Sequence, residues 1–139
     1  LDGVFAAGNV LHVHDLVDYV SEEAEIAGRA AARYLEGERR ADTPITVKAD
    51  GGVRYTVPRK IVGRDAVKIF FRVGDVYRDK EILVLDGDRV LFSRKAKKLA
   101  PGEMETVTIS KDKIASVTSG EIRITLRDLA PEQKAKESK

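Results

Sequence analysis

The chain contains two histidines, and they stand two residues apart in His12-Val13-His14-Asp15. On an extended segment such a pair presents both imidazoles to one side, which is the spacing of half a metal site. A third and fourth ligand are not evident, because no other His and no Cys exists. Local hydrogen bonding or the lining of a loop is the favoured role, and no metal is expected. Just upstream, the small and apolar run Gly3-Val4-Phe5-Ala6-Ala7 ends in Gly8-Asn9-Val10. A glycine lets backbone approach a ligand closely, and in open α/β sheets ligands sit at the carboxyl ends of strands. Taken alone, the same residues make a plain strand-to-turn junction with no ligand.

The rest of the chain offers less chemistry. Arg94-Lys95-Ala96-Lys97-Lys98 is the one basic run. It could meet an anionic partner, but it lacks the interleaved aromatics of a single-strand binder, and lysines on an exposed strand edge are a routine guard against aggregation. Asp86-Gly87-Asp88 lacks the further oxygen ligands of a calcium loop and reads as a hairpin turn. Ser93, Ser110, Ser116 and Ser119 have no His or Asp arrangement that marks a nucleophile. On a regular strand Phe70 faces away from Phe71, toward the helix, a partner surface or a second side of the core. No catalytic constellation is visible in residues 43–130.

Composition narrows the classes. The 139 residues allow one domain or one domain with an appendage. A hydrophobic fraction of 42% permits a core. A net charge of +2 is too small to imply a nucleic-acid partner. The absence of cysteine excludes a disulfide framework and any redox Cys pair within this chain. No apolar run approaches the ~20 residues of a membrane span. Residues 1–15 carry no Lys or Arg and make a poor signal peptide, so a cytoplasmic location is the default expectation.

These groups need elements to position them. Residues 3–8 read as a buried parallel strand, a continuous apolar run. Asp18 to Leu35 reads as a helix whose apolar positions Leu16, Val20, Ala24, Ala27, Ala31 and Leu35 recur at three and four. Asp15 or Asp18 can cap its start and Gly37 can end it, with Glu25 and Arg29 as an i,i+4 pair. Residues 38–42, Glu-Arg-Arg-Ala-Asp, form a polar linker. Period two then replaces period 3.6: seven strands are predicted around Ile45, Val53–Val57, Val67–Val73, Ile82–Leu85, Arg89–Phe92, Val107–Ile109 and Ile122–Leu126, with turn chemistry between them. The expected class is α+β, mainly β: an antiparallel immunoglobulin-like β-sandwich over residues 42–130, preceded by a strand-turn-helix in residues 1–41. Residues 131–139 read as a disordered tail.

The opening motif carries a resemblance. Gly3-Val4-Phe5-Ala6-Ala7-Gly8-Asn9 is similar to the second flavin-contacting motif of the pyridine nucleotide-disulphide oxidoreductase family, a small-residue strand ending in Phe-Ala-x-Gly-Asp. The string Gly8 to Asp18 resembles a subgroup of flavin oxidoreductases encoded beside glycerol-3-phosphate dehydrogenases, which also carries a β extension. The resemblance to the flavin fold covers residues 1–36. It implies that residues 1–41 are the carboxyl-terminal strand and helix of an FAD-binding domain, with Leu1 already inside the motif. It implies cofactor contacts at Gly8, Asn9 and Val10, Asn9 standing where the family's Asp meets the ribityl chain. It also implies that the helix amino end near Tyr19 and Val20 faces flavin O2 and N1. The intact parent would be an FAD-dependent NAD(P)H oxidoreductase, while this chain alone would bind no flavin tightly and be inactive. The β-sandwich would serve docking to a partner oxidoreductase subunit or homodimerisation. The alternative is a free-standing β-sandwich interaction module without enzymatic activity.

Overall fold

A computed structural model describes residues 3–38 and 42–130. The chain divides into two compact units, within residues 1–41 and 42–139. It is an α+β protein, mainly β, with eight strands in two sheets and two α-helices among the described residues. Among these residues no helix is long and apolar enough to cross a membrane. The expected linker residues Arg39, Arg40 and Ala41 and the expected tail at 131–139 lie outside the described residues.

The first unit is a short extended lead, a single 3-10 turn at Gly8–Val10 and helix α1, Val17–Leu35. The strand expected over residues 3–8 is not formed. A strand must hand its N–H and C=O groups to neighbours, and among the described residues of this unit there is no second strand to take them. Neither aspartate caps α1: Leu16, in extended conformation, holds the N-cap position without a side-chain bond. Asp18 sits in the first turn instead, where its charge complements the helix dipole. The helix ends as expected at Gly37. With φ +79, this residue turns left-handed, and the amides of Gly37 and Glu38 return to the carbonyls of Tyr34 and Arg33, a Schellman ending. Arg29 pairs with Glu25 on the exposed face.

The inward face of α1 is rotated from the expected one. Leu16, Ala24 and Leu35 are exposed, whereas Tyr19, Val20, Glu23, Ala27, Ala30, Ala31 and Tyr34 are buried or half-buried. The leading segment lies along this face, with the rings of Phe5 and Tyr34 edge to face at 6.0 Å.

The second unit contains β1 (Ile45–Ala49), β2 (Val53–Val57), β3 (Lys60–Ile61), β4 (Val67–Val73), β5 (Tyr77–Asp86), β6 (Arg89–Leu99), β7 (Glu105–Ile109), α2 (Lys111–Ala115) and β8 (Glu121–Asp128). One sheet runs β3-β1-β8-β5-β6 and the other β2-β4-β7. All pairings are antiparallel except β1 with β8, which is parallel. Alternating residues of both sheets feed one core, in which Ile69, Phe71, Val73, Ile82, Val84, Ile109, Ile122 and Ile124 are fully buried. Phe70, on the other side of β4, is also buried, with the Lys68 amine 5.4 Å from its ring centre.

Three elements depart from expectation. The two-residue β3 and one-turn α2 are too short to carry a period; Ile114 is the buried residue of α2. Strand β6 runs on through the basic run, pairing Lys95 with Glu81 and Leu99 with Tyr77. There Ala96 and Leu99 face inward, and Arg94, Lys95, Lys97 and Lys98 stay exposed. Since β6 is the outer strand of its sheet, these lysines lie where charge discourages edge pairing.

Asp86 ties the β5–β6 hairpin to the segment entering β8. Its carboxylate accepts from the Ser119 hydroxyl, from Arg89 at 2.7 Å, and from the Thr118 and Ser119 amides at 3.4 Å. The Ser119 hydroxyl and then Arg89 outweigh burial and lower the carboxyl from 3.8 to about 2. A depressed folded value means stability that is whole above pH ~4 and lost as acid drives the pH down toward 2. The shift corresponds to about 2 kcal/mol. Asp86→Asn is therefore expected to destabilise the unit by roughly that amount at pH 7. In urea unfolding at a series of pH values, the gap between variant and parent should close between pH ~5 and ~2; a pH-independent gap would show that the carboxylate's charge is not what matters.

Candidate functional site

The functional residues gather around one carboxylate. Glu23 lies on the inward face of α1, one turn from Tyr19 and Val20 and one turn before Ala27, at a position the helical period assigns to an apolar side chain. Its side chain reaches back to the segment that precedes the helix. Oε1 lies 3.0 Å from His12 Nε2, and Oε2 lies 2.9 Å from His14 Nε2. The backbone N–H of Gly8 donates to Oε2 at 2.6 Å. The His12 and His14 side chains are 4% and 0% exposed and that of Glu23 is 9% exposed, so the cluster is closed to bulk water.

Local geometry explains how the sequence reaches this arrangement. Past the turn, His12 and His14 point inward while Leu11, Val13 and Asp15 stay exposed. The two rings meet edge to face at 4.2 Å between centres, and His14 lies 6.3 Å from the Tyr19 ring. Gly8 turns the chain with φ +72, and a Cβ there would come within 3.3 Å of Val20 Cγ1 in the first turns of α1. A side chain at position 8 would meet both backbone strain and this close contact.

Burial pushes the Glu23 carboxyl up, but hydrogen bonds from His14, the Gly8 amide and His12 outweigh it, and the net direction is down. Glu23 is therefore an ionised acceptor at neutral pH, so each imidazole carries a proton on Nε2. By the sign of that shift, the clamp is complete above the ordinary carboxyl value of 4.5 and weakens as acid protonates Glu23.

The five residues expected to contact a cofactor differ in placement. Gly8 is buried; Asn9 and Val10 are exposed on the 3-10 turn; Tyr19 and Val20 are half-buried near the start of α1. Asn9 Oδ1 accepts the His14 amide at 3.3 Å, so the side chain braces the loop with its oxygen. In the sequence Glu23 is inconspicuous, one acidic residue among several on α1. The signal was there: an acidic residue at the inward position between Val20 and Ala27, within reach of the chain's two histidines.

Removing the acceptor tests the clamp. Glu23→Ala leaves two buried imidazole N–H groups and the Gly8 amide without their partner, at a cost of about 1–3 kcal/mol. In hydrogen exchange this should read as at least a ~10-fold loss of protection at the Gly8 amide, with the amides of β5 and β8 as internal reference. Unchanged protection at Gly8 would mean that the carboxylate does not hold the turn.

The chain matches no protein-family model, and it has no significant match to a curated protein or a solved structure.

Proposed function

We propose that residues 3–35 are the flavin-facing turn and helix of an FAD-dependent NAD(P)H oxidoreductase. The observation that carries this reading is the placement of the Gly8–Val10 turn, tied by Glu23 and packed against Val20. The tie puts the exposed Asn9 near the start of a helix whose Tyr19 amide turns back to the Leu16 carbonyl at 3.2 Å, while the N–H groups ahead of it precede any i−4 acceptor. That end carries positive partial charge, suited to the negative charge that collects on a reduced flavin ring. With Oδ1 engaged by the loop, the Asn9 amide NH2 can donate to a ribityl hydroxyl, where the family's Asp would accept; a hydroxyl can take either role. Val4, Phe5, Val10, Leu11 and Val13 are each exposed, and apolar side chains left in water suit burial beneath the remainder of a larger domain. In this reading the chain's groups orient the flavin and tune its charge, and the cofactor supplies the hydride chemistry. Alone, the chain holds too few of the contacts to bind FAD tightly.

For the β unit the reading is an immunoglobulin-like sandwich used for docking to a partner subunit or for self-association. Its strand orders support it. The sequence β2-β4-β7 parallels the A-B-E order of that fold, and β6-β5-β8 the C′-C-F order. The parallel β1, beside β8, is a departure.

The decisive observation is the coding sequence upstream of Leu1. An in-frame Gly-x-Gly-x-x-Gly after a predicted strand is expected, and the longer product should be yellow, absorbing near ~450 nm as oxidised flavins do. In that product Asn9→Ala should weaken FAD retention, measured by flavin release on dilution. An upstream frame without any nucleotide-cradling loop, or a longer product without chromophore, would overturn the assignment.

A further inference from the structure

We infer that His12, His14 and Glu23 form a binding site for a single divalent transition metal of the zinc type. Their ligand atoms already lie within 4.8 Å of one another. The His12 and His14 Nε2 atoms face opposite oxygens of one carboxylate at 3.0 and 2.9 Å. In a tetrahedral zinc site, with bonds of about 2.0–2.2 Å, neighbouring ligand atoms stand about 3.3 Å apart. Admitting the ion therefore requires the two N···O edges to open by a few tenths of an ångström and the two Nε2 atoms, which lie within 4.8 Å of each other, to take up a similar separation. Two imidazoles and one carboxylate are a recurrent zinc ligand set, and mixed N and O donors disfavour both thiophilic and purely oxygen-seeking ions. A carboxylate gripping through both oxygens would complete four donor atoms without solvent, in keeping with the burial of all three side chains.

The charges and protons are consistent with this. The ion takes the place of the two imidazole N–H donors as the partner of the ionised carboxylate. Each ring would coordinate through Nε2 and carry its proton on the buried Nδ1. The Gly8 amide can stay on Oε2, orienting the ligand carboxylate from outside the coordination shell, as groups behind a metal ligand commonly do. The site stands on these residues alone and does not depend on the flavin reading.

The test uses the chelator-treated full chain and zinc ion. Because the chain has only two histidines, imidazole nitrogen signals in NMR report the site without ambiguity. Up to one equivalent of zinc should shift the Nε2 resonances of both rings together, with saturation at one ion per chain. Glu23→Gln, similar in size but uncharged, should weaken binding at least ~10-fold. Cobalt substitution in the unaltered chain should give the visible bands of a tetrahedral centre, a readout that needs no variant to fold. Rings unmoved by excess zinc, a shift of one ring only, or equal affinity in Glu23→Gln would each overturn the site.

Discussion

A single buried carboxylate organises the first unit. An ionised group out of water is costly unless it is paired and hydrogen-bonded, and Glu23 meets that demand with three donors, all from the segment that precedes α1. Its partners then have little freedom of their own. Gly8 must turn where its amide points at Oε2, and the segment that leaves the turn must carry His12 and His14 inward. Breaking such a cluster by removing one member is far more damaging than never having had it. The turn, the extended segment and the first turns of α1 are therefore one cooperative piece.

The second unit solves a similar problem with different proportions. Its two sheets bury a large apolar core, so its stability rests on area removed from water, and a polar anchor is needed only where the hairpin must meet an adjoining loop. Asp86 is that anchor. Both carboxylates accept backbone amides as well as side chains, and in both the hydrogen bonds outweigh the burial that would otherwise favour the neutral acid. The difference lies in the partners. Asp86 faces a permanent guanidinium and a hydroxyl, a set suited to structure. Glu23 faces two imidazoles, whose nitrogens can exchange a proton for a metal.

The β architecture was legible wherever a strand has one wet and one dry face. Ile69, Phe71 and Val73 on β4, and Ile122 and Ile124 on β8, announce themselves by period two. The charged half of β6 could not, because its ladder with β5 is a matter of backbone pairing and edge position, which the Arg and Lys side chains conceal. Residues 3–8 failed in the opposite sense: small apolar residues spell a strand, but a strand is a relation between segments, and this unit offers no second one. In the candidate site, Gly8 was legible by its type, and the histidines by their spacing. Glu23 was not, because a carboxylate amid other acidic residues of an exposed-looking helix, Glu22 and Glu25, reveals itself only when the helix is rotated to its true inward face.

The exposure of so many apolar side chains gives the cluster a further meaning. Units that bury little apolar surface usually rely on disulfides, metals or association. This unit has no cysteine, and Val4, Phe5, Val10, Val13, Leu16 and Val17 remain exposed, so its apolar side chains do little of the work. Two devices can make up the deficit, and the residues present suit both. A larger flavin-binding domain would cover these exposed side chains, and a metal among His12, His14 and Glu23 would cross-link the lead segment to α1 as a disulfide would. The two are compatible, since one acts on the outer surface of the unit and the other at its buried centre. A centre already joined by three hydrogen bonds to one carboxylate is preorganised for either: it fixes the turn that would face a flavin, and it holds the ligand atoms close to the separation a metal needs.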